Sequence, residues 1–271
     1  MISGLSILFM AISAIISIGL PVVLFFVWRK KYNLKLIPML VGVAAFVLFA
    51  MILEQLLHIV VLRPAADGTI ALAKNNPALF VLYGIFAAGI FEETARFISF
   101  HLLKKKYDGV GTGLSYGIGH GGIEAVLIAG VAMLSSIVMS IAVNTGNAGI
   151  LGSDPIVLAQ IDAVRTAGPI MFLASGFERI IAITVHISLS VLVWCAVKVK
   201  GKLWLYPAAI ILHAIVNIVP AMYQAGLTDN VWLVEAIIII PATLTAIAAY
   251  FACKPLINPP ETPPETPEDI Y

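Results

Sequence analysis

Glu92-Glu93-Thr94-Ala95-Arg96 interrupts an apolar run that is otherwise long enough to cross a bilayer. Each charge at the centre of such a helix costs roughly 2.5–3.5 kcal/mol, so charged groups persist there only when they pair, face a wet cavity or do chemistry. Arg96 lies i+4 from Glu92 and i+3 from Glu93, so it can neutralise one carboxylate and leave the other for work. Three further apolar runs carry His120, His186 and His213. Glutamate and histidine converging within a membrane suit hydrolysis. Two or three imidazoles and a carboxylate can hold Zn²⁺ with water in an open position, and a spare glutamate can take that water's proton. Without metal, a glutamate could activate water directly, with histidine and asparagine stabilising the oxyanion. HExxH does not occur, and Gly113-Leu114-Ser115-Tyr116-Gly117 matches Gly-x-Ser-x-Gly only inside an apolar run rather than at a strand-to-helix elbow, so water is the expected nucleophile.

Helical rise converts position into depth. Glu92 lies about 18 Å from Lys104, His186 about 18 Å from Lys198, His213 about 16 Å from Lys202 and His120 about 21 Å from Lys106. Four groups on four helices thus share one layer within about 5 Å. One turn further along lie Glu124 (from His120), Ser190 (from His186) and Asn217 (from His213), each placed to orient an imidazole or hold a substrate carbonyl. Tyr116 stacks on the His120 face. Glycines recur through 109–122, where they permit close helix approach or access for a substrate backbone.

The elements that must position these groups follow from composition. The chain has 271 residues, 61% hydrophobic and 11% charged, with a mean hydropathy of +1.02. Soluble domains carry about 25% charged residues, so a soluble fold is excluded. A net charge of +1 without a basic stripe gives no reason to expect nucleic acid as a partner. Cys195 and Cys253 read as small packing residues rather than a disulfide framework. Seven apolar segments are long enough to span, at about 4–28, 37–62, 78–103, 110–142, 168–197, 203–225 and 231–253. The first lacks a basic n-region and reads as an uncleaved helix. The fourth and fifth are long enough to tilt, extend beyond the bilayer or contain a break.

Basic residues cluster at every second boundary: Arg29-Lys30-Lys31, Lys104-Lys105-Lys106, Lys198 with Lys200 and Lys202, and Lys254. The positive-inside rule places these ends in the cytoplasm. The expectation is an all-α polytopic membrane helical bundle of about seven transmembrane helices, N-terminus out and C-terminus in. It forms one domain over 1–257, followed by a Pro-rich disordered cytoplasmic tail over 258–271. Ser153-Asp154-Pro155 signals a short interfacial helix with Asp154 as N-cap. Ile156, Val157, Leu158, Ile161 and Val164 form its apolar side, and a connector is expected rather than a lid. Glu178-Arg179, about 30 Å from Lys198, reads as a local ion pair or an external rim. Glu54 and His58 form another i,i+4 pair in the outer half of the second span, with membership of the site the minor of its two readings. His101 reads as interfacial.

The motifs also carry a resemblance. Glu92-Glu93-x-x-Arg96 is similar to the EExxxR motif of the CAAX protease and bacteriocin-processing (CPBP) family of intramembrane proteases. Tyr116-x-x-x-His120 resembles its FxxxH motif, with tyrosine for phenylalanine, and His213-x-x-x-Asn217 its HxxxN motif. With Gly-Ile-Gly-His-Gly-Gly-Ile-Glu at 117–124 and the segment 178–186, the whole chain most resembles the YhfC branch of bacterial intramembrane metalloproteases. It also resembles PrsW-type relatives, whose extra glutamate and later histidine Glu124 and His186 could match. The resemblance implies Glu92 or Glu93 as general base and His120 and His213 as metal ligands or water-positioning groups. Asn217 would be an oxyanion or orienting group, and His186 a third candidate ligand. It further implies zinc, a membrane protein or peptide as substrate, and a bacterial cytoplasmic membrane as location. Two other readings use the same residues: a transporter whose Glu/His cluster relays protons or binds a cation, and a scaffold whose polar groups only hold the bundle together.

Overall fold

A computed structural model describes residues 1–65 and 68–257. Seven helices among them are long and apolar enough to cross a membrane: α1 (Gly4–Tyr32), α2 (Leu36–Leu62), α3 (Pro77–Leu103), α4 (Val110–Asn144), α5 (Pro169–Lys198), α6 (Leu205–Gln224) and α7 (Val231–Ala252). No strand occurs among the described residues. The expected tail over 258–271 lies outside them. The chain is an integral membrane protein: large apolar side chains such as Ile15, Val60, Leu102 and Phe251 are exposed on the outside of the bundle, where only lipid makes that favourable.

Helix boundaries follow local chemistry. Asn76 caps α3 by accepting from the Leu79 N–H at 3.1 Å, with Pro77 at the first position. Asn230 caps α7 in the same way through Leu233. Arg29, Lys30 and Lys31 end α1 and complement its dipole, and Asn33 turns the chain in the left-handed region at φ 53°.

Two helices contain π-helical stretches. The one in α4 (Val126–Gly130) is a π turn within an otherwise continuous helix, whose length had suggested a tilt, an extension or a break. The one in α2 (Val47–Glu54) has no sequence signal, because the segment is apolar all round and offers no periodicity to disturb. By contrast, α5 runs unbroken.

The axial element is α5; 72% of its apolar window is buried within the protein. It packs against α1 and α4, and α4 in turn packs against α2. A second group forms where α3 packs on α6, and α7 lies against both α5 and α6. Close contact depends on missing side chains. A Cβ on Gly117 of α4 would meet the Ile187 Cα of α5 at 2.5 Å, and a Cβ on Gly89 of α3 would meet the Ile210 carbonyl oxygen of α6 at 3.0 Å. Gly117→Ala is therefore expected to destabilise the bundle by about 1–3 kcal/mol through overpacking. Gly19→Ala, with nothing within 4 Å of the added carbon, should instead stabilise by up to about 1 kcal/mol through helix propensity. Unfolding titrations of the two purified variants check this, and equal effects would contradict the seam.

The short helix Pro155–Thr166 begins at Asp154 as expected, its carboxylate accepting from the Ile156 N–H at 2.8 Å. Only part of its apolar side is used. Ile161 and Val164 are buried, Val164 against Ile2, Met10 and Phe172, whereas Ile156 and Leu158 stay exposed. None of its residues reaches the central cavity, which is the behaviour of a connector. Cys195 and Cys253 are buried free thiols. Each faces a carbonyl oxygen across the α5–α7 seam, Ala252 at 3.5 Å and Val191 at 3.4 Å.

Candidate metal centre

The layer expected from helical depth exists as a connected cluster. From α3, Glu92, Glu93 and Arg96 all turn inwards, and Glu93 and Arg96 are fully buried. Arg96 Nη1 donates to Glu93 Oε1 at 2.6 Å, while Glu92 Oε2 lies 3.6 Å from Nη2. One carboxylate is thus tied to the guanidinium and the other is held more loosely, as the spacing predicted.

The histidines converge on Glu92. Its Oε2 lies 2.8 Å from His120 Nε2 and 3.6 Å from His186 Nδ1, and its Oε1 lies 4.0 Å from His213 Nε2. The rings form a continuous array: Tyr116 stacks on His120 at 5.8 Å between centroids, His120 lies 5.2 Å from His186, and His186 5.7 Å from His213.

Hydrogen bonding fixes how the rings are presented. His213 Nδ1 meets Glu93 Oε1 at 2.7 Å. A carboxylate only accepts, so Nδ1 carries the proton and Nε2 presents its lone pair towards Glu92. Arg96 Nη2 lies 2.5 Å from His186 Nδ1. A guanidinium only donates, so Nδ1 is the acceptor and the proton of a neutral ring sits on Nε2. That nitrogen faces the Glu124 carboxylate. Arg96 Nε donates to Ser190 Oγ at 3.1 Å, which in turn donates to the His186 carbonyl at 2.6 Å.

Two pairings differ from the expected i,i+4 partners. Glu124 engages His186 on the neighbouring helix rather than His120 on its own, and Ser190 bonds Arg96 and its own helix rather than the His186 ring. Depth orders residues along an axis but says nothing of rotation about it. Asn217 lines the cavity one turn beyond His213.

Glu92, His120 and His186 each offer a ligand atom within 4.8 Å of the others, all three residues buried, and could hold a metal ion. The donor set of two imidazoles and a carboxylate suits zinc with a further open position. The buried His120 Nδ1 has no hydrogen-bond partner, so this ring is positioned by packing, edge-on to Phe46 at 5.2 Å, and by Glu92. His213, an expected ligand, stands beside the group rather than within it.

A cavity of about 620 Å³ opens beside the cluster, with Glu124, His186, His213 and Asn217 in its wall. It extends to Leu62 at the end of α2, Phe80 in the first turn of α3 and Gln224 at the end of α6. These are the helix ends without lysine clusters. Two features of its wall escaped the sequence. Arg179 does pair with Glu178, at 2.5 Å, but its other nitrogen reaches Glu124 Oε1 at 3.0 Å, which makes it part of the site's surroundings. Glu54 and His58 also line this cavity. The i,i+4 spacing announces the pair, but not the direction it faces.

Fold and site together define a polytopic helical membrane protein with a buried Glu/His/His group able to hold a metal ion. A family model described as YhfC intramembrane metalloprotease matches residues 16–238, and the chain belongs to that family. It is similar to a Bacillus subtilis (strain 168) protein described as "Uncharacterized membrane protein YhfC", 34% identical over 264 residues, covering 94% of this chain and 98% of the relative. No solved structure matches.

Proposed function

We propose that the chain is an intramembrane endopeptidase that hydrolyses peptide bonds in or near the bilayer with water as nucleophile, and that its metal is zinc. The observation that carries this reading is the convergence of three imidazoles on one carboxylate, Glu92, two of them, His186 and His213, standing in the wall of a cavity large enough for a peptide segment. Glu92, His120 and His186 would hold the ion, which supplies a bound water with a pKa lowered to about 7.

The chain's own residues would do the rest. Glu92 Oε1, which lies 4.0 Å from His213 Nε2, accepts the water's proton. His213, with its tautomer set by Glu93, turns Nε2 towards the same point. Asn217 offers an amide donor to the developing oxyanion. Glu124 holds His186 through Nε2, so that Nδ1, which faces Glu92 and Arg96 here, would turn its lone pair from Arg96 to the ion, and Arg96 also offsets the charge of Glu93. The apolar walls of the cavity, among them Ile85, Val185 and Val216, exclude bulk water and accept apolar substrate side chains.

Purified protein should contain near-stoichiometric zinc, lost in His120→Ala and in His186→Ala and only weakened in His213→Ala. Incubated with a solubilised membrane proteome, it should generate new peptide termini. Elemental analysis and mass spectrometry of the termini check the two parts. A protein purified without chelators that carries no metal and releases no new termini would overturn the reading.

A further inference from the structure

The cavity contains a second polar cluster that the hydrolytic site does not use. Glu54 closes the π-helical stretch of α2. Such a stretch adds a residue to the turn, rotates the helix beyond it and recurs at functional sites. Glu54 is only 7% exposed, yet it lines the cavity. Its Oε1 lies 3.3 Å from His58 Nε2, and His58 Nδ1 lies 2.8 Å from the Tyr83 hydroxyl. With Nδ1 accepting from the Tyr83 hydroxyl, a neutral ring carries its proton on Nε2, at ion-pair distance from Glu54. With Glu54 ionised and the imidazole neutral, the cluster carries one negative charge.

That charge differs from the others nearby. Glu93 is paired with Arg96, and both Glu124 and Glu178 with Arg179. Among the described residues, no lysine or arginine lies within ion-pair distance of Glu54, whose only such partner is His58. The cavity wall holds Glu54, Glu124 and Glu178 against the single guanidinium of Arg179, so its field favours a cation. A buried carboxylate without a counter-charge is costly, and one that opens onto a cavity can receive its counter-charge from a ligand.

We infer that Glu54, oriented by His58 and Tyr83, is the subsite that receives a cationic group of the substrate, an ammonium or a guanidinium. A divalent metal fits poorly there. The lone pair of His58 Nδ1 is taken by the Tyr83 hydroxyl, and a single carboxylate is a thin ligand set for such an ion. An alkylammonium needs one carboxylate, room and apolar walls for its stem, which Ile85, Ala88 and Ile238 of the same cavity supply. The inference rests on the proteolytic reading above for what the substrate is, but selective binding tests it separately.

The probe is a set of quenched apolar peptides in detergent micelles. One position is scanned along the chain as lysine, arginine, norleucine or glutamate, and each peptide is made with a free and with an acetylated N-terminus. The wild type should cleave lysine or arginine peptides at least tenfold more efficiently in kcat/KM than norleucine peptides at one position. If the free terminus is the cation, it should instead prefer unacetylated over acetylated peptides. Glu54→Gln should reduce the preference to within twofold while changing norleucine cleavage less than threefold. Glu54→Lys should turn it towards glutamate, and Tyr83→Phe should weaken it without touching norleucine cleavage.

Anisotropy of labelled peptides on chelator-treated protein reads the same preference as binding. Cation-selective binding that is lost in Glu54→Gln, with no cleavage of any peptide, would keep the subsite and sink the protease reading. Cleavage or binding indifferent to the cation, in the wild type itself, would overturn the subsite and leave the protease reading intact. So would a preference that survives Glu54→Gln.

Discussion

Glu92→Gln should abolish most of the turnover, by about 10²–10⁴-fold, the contribution usual for a positioned proton acceptor, while the protein still purifies and folds. The amide has nearly the shape of the carboxylate, so the packing around α3 is unchanged. The charge balance also survives, because Arg96 keeps its closer partner, Glu93, at 2.6 Å. On the proposed mechanism, what is lost is the proton acceptor and one of the three groups that could hold a metal ion. The check is kcat on the peptides released by the wild type, beside unfolding titrations of both proteins. A variant with full turnover would remove Glu92 from the chemistry, whatever happened to metal content.

The second large effect falls on stability. Arg96→Leu is expected to destabilise the protein by about 3–5 kcal/mol, the usual penalty for removing one partner of a buried ion pair. Arg96 is fully buried and ties α3 to α5 through separate nitrogens: Nη1 to Glu93 on its own helix, and Nε and Nη2 to Ser190 and His186 on α5. Its loss leaves Glu93 without a cation and His186 Nδ1 without a donor. Lysine would not substitute, since one ammonium cannot reproduce a planar fork serving three acceptors. Adding Glu93→Gln to Arg96→Leu should recover part of the loss by removing the stranded charge. Unfolding titrations of the single and double variants check this; an unaffected single variant would show that the pair contributes little.

How far the sequence reaches depends on which coordinate a feature needs. Distance along a helix is nearly linear in residue number, so the common depth of Glu92, His120, His186 and His213 was legible. So were the seven spans, each a run of apolar residues. Rotation about the axis was not. Glu124 turns to His186, Arg179 to Glu124, and Glu54 into the central cavity. In a soluble protein an amphipathic stripe would reveal such faces. A helix surrounded by lipid and protein is apolar on every side, so the stripe is missing. The π-helical turn ending at Glu54 adds a phase shift that no hydrophobic pattern records.

The two glycine seams have a mechanical consequence. Gly117 clamps α4, with His120 and Glu124, to α5, with His186; Gly89 brings α3, with Glu92, Glu93 and Arg96, against α6, with His213 and Asn217. The polar contacts Glu92–His120, Arg96–His186 and Arg96–Ser190 all run between these two clamped pairs. Any hinge movement that admits a substrate by parting the pairs must stretch all three contacts at once. Entry and dismantling of the cluster would then lie on one mechanical coordinate, and re-closure around a bound chain would reassemble donors and acceptors in a single stroke.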